Sequence, residues 1–321
     1  MIKVYFLGAG EIAVPVIDKL VKEQNIDVVG IGTQLDQPAG RKKILTPTPV
    51  GKWGIDNDYE VDRIASVNDD EFIQKMQQLA PDFILVISFG QLLKETILNL
   101  PKYGCINIHS SILPKYRGAS PIISAIINQE IETGVTFMEM AKGLDTGDIY
   151  KILNYPLNMQ KSAGIVEYEL GKLAADNCAD ILDGIMSGKL TKTAQDHSQA
   201  TVCHKIKKAQ GRINWNETAN QVVAKINGFN PWPGAFFTFR TPKRSITIKI
   251  LEAEIIENIA AATPGEVLEA SKHNWLVSCS NQVIKIKKVI PQGKKEMTGV
   301  EFLRGCNFIK QGTVLAVDEQ D

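Results

Sequence analysis

Two short motifs in the first half of the chain bring together an amide, an imidazole and a carboxylate. Asn107 and His109 lie two residues apart on an apolar run typical of a β-strand, so both side chains point to one face of a sheet. An amide donates a hydrogen bond to developing negative charge, and a histidine donates when charged and transfers protons near neutral pH. Asp145 follows in a tight loop between two glycines. It is either a turn residue or a buried carboxylate that faces His109 and holds its imidazole.

A glycine-containing turn near the start of the chain offers a different chemistry. Residues 8–13 fit the pattern Gly-x-Gly-x-x-Ala between a strand and a helix, which is typical of a phosphate or dinucleotide site. A nicotinamide dinucleotide site also needs an acid at the end of the second strand. At the end of that strand the sequence reads Thr33-Gln34, and the first acid after it is Asp36 in the following loop. A plain strand-to-helix turn is therefore the favoured interpretation, and a dinucleotide site is an alternative.

A long loop over residues 33–49 carries three consecutive cations. Arg41, Lys42 and Lys43 follow Pro38 and Gly40. Such a segment suits a polyanion, because neutralising phosphates releases their counterions. A solvated basic loop explains the same residues, so the loop alone leaves both interpretations open.

Strand and helix patterns alternate through the first part of the chain and predict an α/β fold with a doubly wound, mostly parallel sheet. Asn107 and His109 then lie at the carboxyl end of a strand, where ligands bind in open α/β sheets. Two β-rich runs over 133–140 and 148–155 predict an antiparallel pair at the sheet edge. Strands are expected at 2–7, 28–31, 83–88 and 104–108, and helices at 12–24, 72–79, 121–128 and 166–186.

The second part of the chain has a different pattern. A helix over 217–226, capped by Asn216 and ending at Gly228, precedes short β-rich runs separated by Gly and Pro, which favours a small OB-like β-barrel. The stretch from 188 to 200 is polar and has no periodicity. We therefore expect domains at 1–188 and 205–321 with a linker at 189–204.

Composition excludes several classes of protein. The 321 residues contain 36 basic and 36 acidic side chains, so an overall basic nucleic-acid binder is excluded, although a basic patch is not. Residues 204–321 carry 17 Lys and Arg against 11 Asp and Glu, whereas residues 1–203 carry 19 against 25. Five scattered cysteines show no metal or disulfide spacing, and no apolar run approaches the length of a membrane span. We expect a reduced, cytoplasmic protein with no metal.

The motifs together resemble the 10-formyltetrahydrofolate-dependent formyltransferases. The resemblance lies in Asn-x-His at 107–109, Ser-Ile-Leu-Pro-Lys-Tyr-Arg-Gly at 111–118 and Leu-Asp-x-Gly at 144–147. The loop at 33–41, the segment 229–234 and the Pro-x-Gly-Lys-Lys stretch at 291–295 resemble the members that formylate methionyl-tRNA. The likeness extends over nearly the whole chain and implies formyl transfer to initiator methionyl-tRNA in translation initiation.

The resemblance also implies roles for particular residues. Asn107, His109 and Asp145 would form the catalytic trio. Folate contacts are implied for Ser111, Ile112, Leu113, Pro114, Ile87, Ser88, Phe89, Gly90 and Leu144. Contacts with tRNA are expected for Arg41, Lys42, Lys43, Lys207, Lys208, Lys243, Lys285 and Lys287. The expected partners are the folate, as formyl-donor cosubstrate, and the tRNA, with no membrane partner and a monomeric chain.

Two departures from the family pattern accompany this likeness. The family usually has Gly-Thr-Pro where this chain has Gly8-Ala9-Gly10, and often Gly or Ala, then Ser-Leu, where it has Ser110-Ser111-Ile112. Neither touches the trio. Three other functions stay open: formyl transfer to an amino sugar nucleotide, a nicotinamide-dependent oxidoreductase, and a non-enzymatic RNA-binding protein, which would leave the trio unexplained.

Overall fold

The contacts of the chain group it into two units. The computed structural model describes residues 1–40, 43–240 and 245–315. The sheet unit combines Met1–Pro121, Glu132–Pro156 and Ile165–His204, and the half-barrel unit combines Ile122–Ile131, Leu157–Gly164 and Lys205–Asp321. Two short segments of the first 188 residues thus group with the C-terminal residues. The domain boundaries expected from sequence stay a prediction.

The strands of the sheet unit are two to nine residues long. In chain order they are β1 (Ile2–Gly8), β2 (Ile26–Gln34), β3 (Gln37–Ala39), β4 (Ile44–Thr46), β5 (Asp62–Ile64), β6 (Phe83–Ile87), β7 (Cys105–His109), β8 (Arg117–Gly118), β9 (Glu132–Glu139), β10 (Ile149–Pro156) and β11 (Val202–Cys203). The helices up to residue 186 are α1 (Ala13–Leu20), α2 (Pro49–Asp56), α3 (Asp70–Leu79), α4 (Glu95–Leu98), α5 (Pro121–Ile127) and α6 (Ala163–Met186).

Seven of these strands form one sheet in the order β10-β9-β7-β6-β1-β2-β5. The strands from β7 to β5 run parallel, whereas β9 is antiparallel to both β7 and β10. The predicted α/β fold and its antiparallel edge pair are confirmed. The strand order reverses between β1 and β6, and ligands bind outside the carboxyl ends of strands at such a reversal.

Local sequence explains the central elements. All five residues of β6, Phe-Ile-Leu-Val-Ile, are buried, as expected for a parallel strand covered on both faces. Helix α3 begins where the Asp69 carboxylate accepts a hydrogen bond from the Phe72 N–H at 2.9 Å, and it ends at Ala80 in the left-handed region. Acidic residues in its first turn complement the helix dipole.

The long loop over 33–49 contains a structure that periodicity could not predict. Strands β3 and β4 pair antiparallel within it. The two ends of the loop meet where the Thr33 and Thr48 hydroxyls lie 2.6 Å apart, and the Arg63 Nε donates to the Asp36 carboxylate at 2.8 Å. Three-residue strands carry too few side chains to show an alternating pattern.

The half-barrel unit contains α7 (Ala219–Gly228), β12 (Ala235–Arg240), β13 (Ser245–Ile256), β14 (Val267–Ala270), β15 (Trp275–Ser278), β16 (Val283–Pro291), β17 (Met297–Thr298) and α8 (Gly299–Arg304). Its strands form an antiparallel sheet in which β12-β13-β16-β15-β14 are neighbours and β17 pairs with β16. Its core includes Trp215, Phe237 and Trp275. The small C-terminal β domain predicted from sequence is confirmed as this half-barrel.

The predicted cap of α7 is wrong by two residues. Thr218, rather than Asn216, accepts a hydrogen bond from the Gln221 N–H at 3.3 Å, and the Gln221 Oε1 in turn accepts one from the Thr218 N–H at 2.9 Å. This reciprocal pair satisfies two N–H groups at the helix start, which a single Asn cannot do. The predicted end of the helix at Gly228 is confirmed.

Residues 189–204 make specific contacts within the sheet unit. Thr193 pairs with Ile149 as an antiparallel bridge, and β11 pairs parallel with β8.

No helix among the residues that the structure describes is long and apolar enough to cross a membrane. Within the part of the chain that the structure describes, none of the five cysteines forms a disulfide, and all except Cys306 are buried.

Candidate active site

The side chains of Asn107, His109 and Asp145 meet on one face of β7. The Asp145 Oδ2 lies 3.6 Å from the His109 Nδ1 and accepts a hydrogen bond from the Gly118 N–H at 2.8 Å. Its Oδ1 lies 3.4 Å from the Asn107 Nδ2. The exposed fractions of the His109 and Asp145 side chains are only 7% and 13%. Sequence spacing predicted that Asn107 and His109 share a face, and the loop that follows β9 brings the carboxylate to them.

The partners of His109 determine where its protons lie. The Nε2 is 2.9 Å from the Tyr116 carbonyl oxygen, and a carbonyl only accepts, so Nε2 carries a proton. The Nδ1 lies 3.6 Å from the Asp145 carboxylate. Both ring nitrogens of His109 therefore face oxygen acceptors. Since 3.6 Å is too long for a full hydrogen bond, the Nδ1 position stays available to an oxygen of a bound substrate.

The backbone around Asp145 is tightly constrained. Asp145 itself has a φ of 50°, a left-handed conformation that Asp tolerates better than most residues. Two residues later, a Cβ added to Gly147 would lie 1.8 Å from the Glu139 carbonyl oxygen. Only glycine fits there, so the Leu-Asp-x-Gly spacing reflects a steric requirement of the loop. Ser88 and Tyr116, with φ of 49° and 60°, are further left-handed residues near the strand ends.

Hydrogen bonds from β9 order the segment that follows β7. The Thr136 hydroxyl donates to the Ser111 carbonyl at 2.6 Å and accepts from the Leu113 N–H at 3.2 Å. The Ser111 hydroxyl in turn donates to the Lys115 carbonyl at 2.7 Å. Ser111 and Leu113 are buried, whereas Ile112 and Pro114 are half-buried. Buried side chains here shape the segment, and its backbone and half-buried side chains are the parts that a ligand could touch.

The segment after β6 shows the same division. Ile87 and Phe89 are buried in the core, whereas Ser88 and Gly90 are exposed. Leu144 is 54% exposed on the loop that carries Asp145. The structure thus leaves Ser88, Gly90 and Leu144 accessible, and it uses Ile87 and Phe89 to anchor the strand end.

The glycine turn at residues 8–13 is filled by the protein itself. A Cβ on Gly10 would lie 2.5 Å from the Ser88 Oγ. The carboxylate of Glu167 accepts a hydrogen bond from the Ile12 backbone at the start of α1, and burial raises the pKa of Glu167. An anion-binding helix start is therefore already faced by an internal carboxyl group. The side chains at the end of β2, Thr33 and Gln34, bond within the protein to Thr48 and to the Phe89 carbonyl. These contacts oppose the dinucleotide interpretation.

The predicted tRNA-binding cations fall into three groups. Arg41, Lys42 and Lys243 lie outside the described residues. Lys43, Lys207 and Lys208 are exposed, and none of the ion pairs found in the described part of the chain includes them. Lys287 is engaged by two carboxylates, Glu252 at 2.9 Å and Glu254 at 3.4 Å, and Lys285, half-buried on the same strand, sits opposite Glu254 in the β13–β16 ladder.

Two polar residues near Asp145 were not among the predicted site residues, although one of them, Arg117, lies in the motif at 111–118. Gln195 and Arg117 are both buried. Gln195 lies in the polar, aperiodic stretch expected to be a linker, where nothing distinguishes a buried amide from an exposed one. Across residues 1–40, 43–240 and 245–315, no group of three or more His, Cys, Asp and Glu side chains is placed to hold a metal ion.

Comparison with known proteins places this geometry in a family. Residues 2–175 match the formyl transferase family and residues 205–307 match the formyl transferase C-terminal domain. The chain is 36% identical over 314 residues to the methionyl-tRNA formyltransferase of Geobacter sulfurreducens, covering 98% of this chain and 96% of that one. The chain belongs to the methionyl-tRNA formyltransferase family. It is a formyltransferase, as the motifs predicted.

Solved structures share the fold of this formyltransferase. A methionyl-tRNA formyltransferase from Clostridium thermocellum superposes with a TM-score of 0.56 at 17% identity, covering 81% of this chain and 96% of that one. An N-formyltransferase from Helicobacter canadensis, in complex with folinic acid and dTDP-3-aminofucose, superposes with a TM-score of 0.61 at 19% identity, covering 89% and 99%. A protein named for methionyl-tRNA and a protein bound to a nucleotide-linked amino sugar therefore both share the fold of this chain.

Proposed function

We propose that this formyltransferase transfers the formyl group of 10-formyltetrahydrofolate to the α-amine of methionine esterified to initiator tRNA. The observation that carries the proposal is the meeting of Asn107, His109 and Asp145 on one face of β7. Similarity over nearly the whole chain to a methionyl-tRNA formyltransferase supports the acceptor. The folinic acid in the Helicobacter canadensis structure supports a folate as donor.

The reaction needs one bond formed and one broken. The neutral α-amine attacks the formyl carbon, and a tetrahedral oxyanion forms. The bond between that carbon and N10 of the folate then breaks, while a proton leaves the amine and N10 gains one. The protein has to stabilise the oxyanion and move the proton.

Asn107 and His109 supply the donors for the oxyanion. The Asn107 amide carries two hydrogens, of which one is directed at Asp145 over a long 3.4 Å contact, so the other is free for substrate. His109 keeps Nε2 on the Tyr116 carbonyl and offers the Nδ1 hydrogen. Removing one donor of this kind typically costs about 3–4 kcal/mol of transition-state stabilisation.

Asp145 has two roles in this scheme. Its carboxylate favours the charged form of His109 through the 3.6 Å contact. It also accepts the proton of the attacking amine, by way of a water molecule, and returns it to N10. The Gly118 N–H bond to Oδ2 keeps the carboxylate oriented during both steps.

The folate is proposed to bind beside the exposed Ser88, Gly90 and Leu144, with the backbone of residues 111–114 completing its contacts. The tRNA is proposed to contact the exposed Lys43, Lys207 and Lys208, together with Arg41, Lys42 and Lys243. Neutralising phosphates is the expected source of affinity, so binding should weaken steeply with added salt. We further propose that the chain acts as a monomer in the cytoplasm, where its tRNA acceptor is charged.

Single-turnover formyl transfer with three acceptors in parallel tests the proposal. The acceptors are initiator methionyl-tRNA, elongator methionyl-tRNA and a UDP-linked amino sugar, each mixed with enzyme and 10-formyltetrahydrofolate. Fast transfer to the initiator alone is the expected result. Transfer to the sugar, or to none of the three, would refute the proposed acceptor.

A further inference from the structure

Gln195 is a buried amide in a stretch of exposed residues. It is 6% exposed, whereas the residues on either side of it, from Thr191 to Gln199, are exposed. Burying an amide is costly unless each of its polar atoms finds a partner. The fold therefore brings this one side chain inward for the contacts that it makes there.

All the hydrogen-bonding capacity of the Gln195 amide is used. Its Nε2 donates to the carbonyl oxygens of Asp145 at 3.0 Å and Gly147 at 2.7 Å. Its Oε1 accepts from the Arg117 Nε at 3.1 Å and Nη2 at 2.6 Å. Because a guanidinium only donates and a carbonyl only accepts, the orientation of the amide is fixed by its neighbours.

Arg117 links Gln195 to the residue that binds the Asp145 carboxylate. Its guanidinium is buried, and its Nη2 also lies 3.0 Å from the His197 Nδ1. The next residue, Gly118, donates its backbone N–H to the Asp145 Oδ2. The 117–118 pair thus holds the carboxylate of Asp145 directly and holds its backbone through Gln195.

We propose that Gln195 is a positioning residue for the reaction, acting through Asp145. By bonding the carbonyls of residues 145 and 147, it fixes the left-handed backbone at Asp145 and so the distance from its carboxylate to His109. Loss of the amide frees two carbonyls and lets the loop shift. A displacement of about 1 Å at such a site lowers the rate by about 100-fold. The kinetic part of this inference rests on the proposed function.

Two substitutions with a matched control test the inference. Gln195→Met keeps the length of the side chain and removes all its hydrogen bonds, and Gln195→Asn keeps the amide but is too short to reach both partners. Gln199→Met, at an exposed position nearby, is the control. We expect Gln195→Met to lower the single-turnover formylation rate about 10- to 100-fold, with little change in folate affinity, and Gln199→Met to leave it unchanged.

A double-mutant cycle separates positioning from general destabilisation. If Gln195 acts through Asp145, the rate loss of Gln195→Met largely disappears in the Asp145→Asn background, because interacting residues are not additive. An equal loss in both backgrounds would overturn the inference. If Gln195→Met fails to fold, the same cycle is run with Gln195→Asn.

A second readout needs no substrate. Hydrogen exchange at the Gly118 amide reports its bond to the Asp145 carboxylate, and Gln195→Met should speed that exchange while Gln199→Met does not. Unchanged protection of this amide in the folded variant would overturn the inference. A wild-type protein that fails to formylate methionyl-tRNA would refute the proposed function, and the exchange experiment would still decide the role of Gln195.

Discussion

Replacing Asp145 by Asn changes the charge of the candidate site while keeping its shape. Asn can still accept from the Gly118 N–H, which now lies 2.8 Å from Oδ2. Its Nδ2 then takes the position of Oδ1 and faces the Asn107 amide, while the His109 ring faces an uncharged amide oxygen in place of a carboxylate. Two donors would point at each other unless Asn107 turns its own amide away. The substitution therefore disturbs both proposed oxyanion donors without opening a cavity.

The size of the effect follows from the distance between the charges. At 3.6 Å and an effective dielectric constant of about 20, opposite unit charges attract by about 4.6 kcal/mol. The proposed mechanism uses the charged form of His109, so removing the opposite charge of Asp145 lowers the rate. Since each 1.4 kcal/mol is tenfold, we expect kcat to fall by about 2,000-fold.

Single-turnover formylation with saturating donor and acceptor measures this rate directly. The folate dissociation constant of the Asp145→Asn protein should stay near the wild-type value. Asp148→Asn is the matched control, because it removes a half-buried charge three residues along the same loop. A rate for Asp145→Asn within tenfold of wild type would refute the electrostatic reasoning.

Three further predictions concern the loop, the lysines and the thiols. Gly147→Ala places a Cβ 1.8 Å from a backbone carbonyl oxygen. Denaturant unfolding should show that the free energy of unfolding falls by about 1–3 kcal/mol, and kcat should fall because the Asp145 loop moves. Unchanged values of both would contradict the steric reasoning. Lys207→Ala should lower the slope of log affinity for tRNA against log salt by about 1. Lys287→Ala should change that slope less, because the Lys287 ammonium is already paired with two carboxylates. Filter binding of tRNA over a salt series measures both slopes. Burial raises the pKa of the Cys105 thiol to about 12, so this thiol should stay protonated and unmodified by iodoacetamide at about pH 8 until the protein unfolds. The half-buried Cys306 should be modified in the folded protein. Peptide mass spectrometry checks both sites.

The sheet could be predicted from sequence because its strands are short apolar runs between Gly and polar segments. The five buried residues of β6 and the edge pair of β9 and β10 each have a local pattern that survives folding. The predicted pairing of Asn107 and His109 on one face follows from the two-residue period of a strand. These features depend only on neighbours along the chain.

Other features depend on contacts between distant segments, and the sequence carries no sign of them. Gln195 lies 50 residues from Asp145 and 78 from Arg117, in a stretch whose composition is that of a linker. The pairing of Lys287 with Glu252 is set by strand register across β13 and β16, so lysines that suggested a basic face are partly neutralised. The cap of α7 was missed for a local reason: Thr218 rather than Asn216 caps the helix because the Gln221 side chain accepts a hydrogen bond from the Thr218 N–H, and a scan for single cap residues misses such a pair.

The central claim is that Asn107, His109 and Asp145 carry the chemistry of formyl transfer. The most direct measurement is the single-turnover formylation rate, together with the folate dissociation constant, for Asn107→Ala, His109→Ala and Asp145→Ala. Each substitution is expected to lower the rate by at least about 100-fold while the folate still binds with nearly wild-type affinity. A near wild-type rate in any of the three would contradict the assignment of that residue.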